Sequence, residues 1–468
     1  MESPNKDRKT AITLVNICRV LLALVMMLSG FLKAVDPVGA MYKLQEYATI
    51  LSIGELTDGW LLAGAVVQSA FEFLIGLYLL VGVYRRGVPL LALIAMLLFT
   101  PLSLYLWLSG TIDDCGCFGE AVIISNRATF IKNIVLLALA FVVYFGRGLF
   151  VRTMSRKCRW ILVLFSVVYI FSLQATAYNH LPVIDFGHYA PGENLREKVA
   201  FVPDEYEYQR VYQKDSVQCV LPADTVPGSD WVFIEERPLL VKRGREPQIR
   251  NFSIVNWEYD IEIADELLAD TGYVCLVVIE QVEEASVTHV DKLNDLYDHC
   301  VANGITFCAV TSSDDDNELE LWSKRTGAEY PLYWAEASLL HPMIRSNPGL
   351  LLLKDGVIVG KWNVSDIPDL EVLEASPTLM PDAVWSSGDK MQEWPFWAVL
   401  LFGVLFILAL LDVVLVAMAR RKSVKALEIS KAATAKAPEA PQGLPAEEKT
   451  DNETSDTNRI QTFKNLEK

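Results

Sequence analysis

The chain has no excess of basic residues to offer a nucleic acid: 41 Lys and Arg stand against 58 Asp and Glu, a formal net charge of −17 over 468 residues. Charge of that sign repels a phosphate backbone, which argues against a nucleic-acid partner. Histidine is scarce as well: it occurs five times. No Gly-rich nucleotide loop, His-Glu-x-x-His zinc helix or Gly-x-Ser-x-Gly elbow occurs, so nothing points to nucleotide, zinc or acyl-enzyme chemistry. The eight cysteines fall at no zinc spacing, and only Cys115 and Cys117 are close in sequence.

What the chain does have is apolar sequence in blocks. Hydrophobic residues make up 52%, above the soluble average. Runs about as long as a bilayer span occur at Ile12 to Ala34, Trp60 to Val83, Val88 to Leu108, Phe130 to Phe150, Trp160 to Ala177 and Pro395 to Ala419. The first is too long for a cleavable signal peptide and ends in no small-residue cleavage site. Lys and Arg collect on alternate connections: Lys6, Arg8 and Lys9; Arg85 and Arg86; Arg147, Arg152, Arg156, Lys157 and Arg159; Arg420, Arg421 and Lys422. The positive-inside rule places all four clusters in the cytoplasm, so both termini are expected inside and residues 179–393 exported across a bacterial cytoplasmic membrane. Membrane lipid is then a partner by construction.

On the exported side lies Asp113-Asp114-Cys115-Gly116-Cys117-Phe118-Gly119-Glu120, between the third and fourth spans. Gly116 lets the backbone turn tightly enough to bring the sulfurs together. The ring they would close is small and strained, which makes a poor staple and a better oxidant. Three readings stand: a redox pair, a static bridge, or metal ligation, the last needing further ligands that no nearby cluster supplies. Asp113, Asp114 and Glu120 would raise the thiol pKa, and Lys33, Arg127 and Lys132 would offset them if the loop folds back over the bundle. Two ionisable residues lie within spans. By helical rise Arg19 is about 10 Å and Glu72 about 16 Å from the cytoplasmic ends of their helices, close enough in depth to pair. Such a pair fixes helix packing or serves a proton or quinone site. Pro101, after Thr100, is expected to kink the third span.

Several stretches together carry a family resemblance. The run Ser29-Gly30-Phe31-Leu32-Lys33-Ala34-Val35-Asp36-Pro37, the glutamate of Phe71-Glu72-Phe73 and the Cys-Gly-Cys-Phe-Gly loop resemble the DoxX-type four-helix membrane proteins. The loop is similar in particular to MauE, the methylamine-utilisation branch. The resemblance covers roughly residues 1–150. It implies work beside membrane or periplasmic redox enzymes, in their maturation or as a quinone-linked subunit. No cofactor is evident in the residues themselves, and a quinone is the one the resemblance admits.

Beyond the fifth span, within 151–178, comes a membrane-proximal segment, 179–246, whose short alternating runs read as antiparallel strands. His180 and His188 there read as solvated loop residues. From 247 to 385 strands and helices alternate: Ala264 to Ala269, Tyr273 to Ile279, a helix with Val290, Leu293, Leu296, Tyr297, Cys300 and Val301 on one face, Ile305 to Val310, Leu319 to Arg325, Leu332 to Trp334, then a hairpin through Asp355-Gly356 and a last helix. This order resembles the thioredoxin fold, with Pro348 at the family's cis-proline position beside its peptide-binding edge. The dithiol is missing, since its place reads Glu280-Gln281-Val282-Glu283-Glu284-Ala285. Cys275, Cys300 and Cys308 fall where small apolar core residues sit; they and Cys219 are buried thiols or bridges.

The sixth span, 394–419, opens on the interfacial anchor Trp394-Pro395-Phe396-Trp397, and residues 420–468 have a disordered composition. The expected architecture is therefore multi-domain: an α-helical transmembrane bundle, a DoxX-like four-helix core plus two further spans, with an exported α/β thioredoxin-like domain. Its expected work is thiol–disulfide or electron relay between the membrane and exported client proteins. The competing expectation is a non-catalytic assembly or maturation factor that binds clients through the α/β domain.

Overall fold

The computed structural model describes residues 4–368 and 393–435 except Glu55, Asp113, 151–153, 215–216 and 257–258. The described residues up to Asp412 form one compact unit and those from Val413 a second.

Six helices of the described residues are long and apolar enough to cross a membrane. They are α1 (Pro4–Val35), α3 (Asp58–Val81), α4 (Gly87–Ser109), α5 (Asn126–Phe145), α6 (Arg156–Asn179) and α12 (Glu393–Ala435). A shorter helix, α2 (Pro37–Ile50), follows α1 directly: Asp36 caps it by accepting from the Gly39 N–H at 2.8 Å, and Pro37 takes the first position, where no N–H is needed.

Glycine sets how closely the first two spans cross. A Cβ on Gly30 would lie 2.2 Å from the Phe73 backbone nitrogen, and one on Gly76 2.3 Å from that of Met27. Small residues are how helices approach when lipid removes the hydrophobic drive between them. Buried hydroxyl and amide pairs tie the other contacts. Asn133 of α5 donates to Ser103 Oγ of α4 at 3.0 Å, and Ser69 of α3 donates to Gln174 Oε1 of α6 at 2.9 Å. Pro101 lies inside α4, which continues through it.

The sheet-rich part begins after α6. A three-stranded antiparallel sheet, order β3-β2-β4, is built from β2 (Glu205–Lys214), β3 (Val217–Pro222) and β4 (Val232–Lys242), as the alternation predicts. A seven-stranded mixed sheet follows, order β11-β10-β7-β8-β9-β5-β6. Its strands are β5 (Val255–Asn256), β6 (Ile261–Glu262), β7 (Tyr273–Ile279), β8 (Thr306–Thr311), β9 (Leu332–Trp334), β10 (Gly349–Lys354) and β11 (Val357–Asn363). β7, β8 and β9 run parallel, and β10 is antiparallel to both β7 and β11. The all-apolar reading of Tyr273 to Ile279 is explained by burial on both faces. One face carries α9 (Val290–Asn303) and α10 (Asp316–Thr326) over Cys275, Val277 and Leu350. The other carries α8 (Ala264–Ala269) and α11 (Ala337–Met343) over Leu276, Val278 and Leu351.

In the seven-stranded domain the expected strands and helices recur with ends moved by up to three residues, whereas the ends of the membrane spans move further: the run expected at Phe130 to Phe150 is the helix Asn126–Phe145. Four differences matter. Val301 is 60% exposed rather than on the packed face of α9, whose 3.6-residue period carries it past the sheet after Cys300. The segment Ala337–Met343 is helical, with Pro342 in its last turn. After β11 the described residues hold one 3-10 turn, Val364–Asp366, and 369–392, where the expected last helix of this domain would continue, lie outside the described residues. The last helix runs to Ala435, so the first part of the tail read as disordered is helical, in keeping with strong helix formers such as Lys425, Ala426, Leu427 and Glu428. Residues 436–468 lie outside the described residues.

Candidate functional site: a cysteine pair at a cavity in the bundle

After α4 the chain turns back over the bundle as the loop that contains β1 (Cys117–Glu120). Gly116 and Gly119 take left-handed φ values of +56° and +58°, and Gly119 N–H closes the turn onto Gly116 O at 3.1 Å. The turn sets the Cys115 and Cys117 sulfurs 3.2 Å apart, both as free thiols. Beneath them is a cavity of about 340 Å³ between α1, α2, α3, α4 and α5. Its walls are chiefly apolar, with Met26, Leu32, Met96, Phe99, Phe118 and Leu136, and its polar lining includes Ser29, Lys33, Tyr47, Gln68, Glu72, Lys132 and Asn133.

A hydrogen-bonded cluster joins this lining to the loop. Lys33 Nζ donates to Glu72 at 2.7 Å, and Gln68 Nε2 donates to the same carboxylate at 3.1 Å. Ser29 Oγ lies 2.6 Å from Glu72 Oε2 and 2.7 Å from the Cys117 carbonyl oxygen, within donating reach of either. Tyr47 of α2 donates its hydroxyl to the Cys115 carbonyl and sits 3.8 Å from the Cys115 sulfur. Lys132 lies 4.4 Å from the centre of the Phe118 ring.

The acidic neighbours expected to suppress the thiols are mostly engaged elsewhere. Asp114 accepts from Lys43 Nζ at 3.0 Å, and Glu120 is paired with Arg345. Asp113 lies outside the described residues. The two sulfurs therefore differ in character. The hydrogen bond from Cys115 lowers the Cys117 pKa; burial opposes this, and the charges of Lys132 and Lys33 reinforce it. Cys115 is pushed up by that same hydrogen bond and by burial. A low-pKa thiol beside a high-pKa partner is an arrangement suited to thiol chemistry, with Cys117 the better leaving group.

The α/β domain reaches this site through one strongly charged contact. The Arg345 side chain, 7% exposed, lies with Nε 3.1 Å from Asp36 and pairs through Nη2 with Glu120. Tyr42 of α2 stacks on His341 at 4.2 Å between ring centres and donates to Glu280 Oε2 at 2.8 Å, while His341 Nε2 lies 2.6 Å from Glu280 Oε1. Lys361 pairs with Asp185 at 2.7 Å. Burial works against the Glu280 carboxylate, yet His341, Tyr42 and Arg345 hold its pKa below the usual range. Pro342, together with Phe186, Gly187 and His188, completes the cavity lining.

Of the residues singled out in the sequence, Cys115, Cys117, Lys33, Glu72 and Lys132 come together at one cavity. Arg127 is exposed and takes no part in the lining. Arg19 does not pair with Glu72. Depth counted from each helix's own end misjudged the register: Gly30 meets Phe73, so Glu72 is level with the Gly30 turn, and Arg19 lies eleven residues, about 16 Å, further along α1. Lys33, one turn past Ser29, takes the glutamate instead. Pro348 is buried at the start of β10 after a cis Asn347–Pro348 peptide, with Asn347 donating to Gln281 O at 2.9 Å. The sequence reading missed Tyr47, Ser29 and Arg345 as site residues. Only the i, i+4 spacing of Ser29 and Lys33 on α1 gave a signal, since it places both on one face.

The helices under the Cys-Gly-Cys loop fall in a stretch that is similar to a known family. Residues 11–146 match the family model of the methylamine utilisation protein MauE. The match takes in α1 to α5 and the whole cysteine loop, and with the six apolar helices it supports a multi-pass membrane protein of MauE type. The α/β domain lies outside the MauE match. No curated protein matches the chain.

Proposed function

We propose that the chain is a membrane thiol–disulfide relay in which Cys115 and Cys117 exchange electrons between exported client thiols and an acceptor in the bilayer. One observation carries the reading: two thiols 3.2 Å apart face a cavity lined by Lys33, Glu72 and Lys132 inside a helical bundle. In the oxidised form a client thiolate attacks Cys115 Sγ, the S–S bond breaks, and Cys117 leaves as the thiolate that Lys132 and Lys33 favour. A second client thiolate then attacks the mixed disulfide, releasing oxidised client and leaving the pair reduced by two electrons. Tyr47 holds the loop through the Cys115 carbonyl during exchange, and the Ser29–Glu72–Lys33 cluster is placed to take up a proton beside Cys117.

Reoxidation requires a two-electron acceptor, and the cavity residues fit a quinone: Met96, Phe99 and Leu136 would hold the ring, and Lys33 and Lys132 its oxygens. Bound there, it would supply a sink for two electrons and two protons. The strand order β11-β10-β7-β8 supports a thioredoxin-like reading of the α/β domain, which in this proposal holds the client near the pair and does no dithiol chemistry, since Glu280 to Ala285 contain no cysteine. Because that end of the domain, at Glu280 and His341, is engaged with Tyr42, a second reading has support: an assembly factor in which both domains only bind.

Trapping separates the two. With Cys117→Ser the lone Cys115 thiolate attacks the disulfide of oxidised client, one client sulfur leaves as thiolate, and the mixed disulfide on Cys115 persists because Cys117 is absent to displace it, visible as a reducible band on non-reducing gels; with Cys115→Ser it does not form. Absence of any adduct from both single variants, in cells where the wild-type protein is active, leaves the binding-only reading.

A further inference from the structure

At the end of the bundle opposite the cysteine loop, two guanidinium groups hold buried nitrogens that lack a partner among the described residues. Arg19 is 5% exposed, and its Nε and Nη1 have no hydrogen-bond partner among the described residues. Its guanidinium carbon lies 5.2 Å from the Phe150 ring centre, and the charge that reaches it is a like one, Arg85. The buried Nε of Arg159 also lacks a partner among the described residues, with its guanidinium 5.2 Å from the ring of Tyr84, the residue before Arg85. Among the described residues the carboxylates at this end are Asp7, which is exposed, and Asp412, which accepts from the Ser155 N–H at 2.7 Å. A buried guanidinium with no counter-charge is costly.

We propose that Arg19, Arg85 and Arg159 form a site for the phosphate group of an acidic phospholipid. The guanidinium fork matches phosphate oxygens, and the Arg19 and Arg159 side chains hold N–H donors that no other described group takes. A lipid fits better than a soluble phosphate because Arg19 is set among bilayer-exposed side chains: Ile17 is 53% and Leu21 50% exposed, ready to lie along acyl chains. The inference rests on the membrane reading of α1 and α6 and is independent of the cysteine chemistry.

The full chain, released from bilayers of equimolar phosphatidylglycerol and phosphatidylcholine, tests this by native mass spectrometry of the retained lipid. The wild-type protein should retain phosphatidylglycerol preferentially. Arg19→Gln and Arg159→Gln should each reduce that preference by about tenfold, the loss of one charge-assisted contact, and Arg19→Lys should keep part of it. If Arg19→Gln fails to fold, Arg85→Gln and Arg159→Gln carry the test. Equal retention of the two lipids by the wild-type chain, or an unchanged preference in the Arg85→Gln/Arg159→Gln double variant, overturns the proposal. Displacement of phosphatidylglycerol by millimolar inorganic phosphate assigns the site to soluble phosphate and overturns the lipid.

Discussion

Arg345 is the residue whose loss should most change access to the cysteine pair. Its side chain is 7% exposed and bridges Asp36, at 19%, and Glu120, at 38%. Arg345→Ala leaves two carboxylates facing each other at the contact that carries Pro342 over the cavity. Breaking a buried pair by removing one partner costs about 3–5 kcal/mol. Glu120 keeps enough exposure to rehydrate, so the low end applies, about 3 kcal/mol or roughly 100-fold in the equilibrium that lifts the α/β domain from the loop. The assay is the rate at which Cys117 reacts with a bulky polyethylene-glycol maleimide in the intact protein. When opening limits reaction, that rate rises towards the full factor. Removing the whole cluster, with Arg345→Met, Asp36→Asn and Glu120→Gln together, leaves no unpaired charge and should return the rate to near wild type. A folded Arg345→Ala protein that labels at the wild-type rate would show that this contact does not cover the site. A triple variant as open as the single would show that unpaired charge is not the cause.

Further outcomes follow from the same geometry. Because the Cys117 pKa is depressed, its thiolate is present above that value and lost as pH falls through it; alkylation should therefore inflect below the ordinary thiol value of about 8.5, and Lys132→Ala should move the inflection upward. Lys33→Met strands Glu72, whose side chain is 3% exposed, and should destabilise the bundle by about 3 kcal/mol, read as a lower melting temperature, whereas Glu72→Gln should cost less. Gly30→Ala drives a Cβ into the Phe73 backbone, where only helix separation gives relief, and should cost about 2 kcal/mol or more; a melting temperature equal to wild type would contradict the close crossing.

How much of this could be read from the chain depends on the range of the interaction that places each residue. Spans come from local composition, and each of the six expected runs overlaps a helix long and apolar enough to cross a membrane. The strands Tyr273–Ile279 and Gly349–Lys354 were legible because continuous apolar runs of that length suit a strand buried on both faces. The Cys-Gly-Cys loop and its lysines were legible as candidates, since residue type alone marks them. Partners were not. Lys33, and not Arg19, meets Glu72 because two glycines fix the α1–α3 register, a tertiary fact that helix lengths do not contain. Tyr47, Arg345 and the Tyr42–His341–Glu280 contact lie far apart in sequence and are polar residues of ordinary loop and helix composition, so no periodic signal distinguishes them.

The central claim is that Cys115 and Cys117 cycle. Its most direct test is the redox state of these two thiols in the purified full chain across a glutathione redox series, trapped with acid and counted by alkylation and mass spectrometry. The account predicts a reversible two-electron transition between dithiol and intramolecular disulfide, abolished in Cys115→Ser and in Cys117→Ser. Thiols that stay reduced through the most oxidising buffer, or a bond that never opens at the most reducing one, would contradict it.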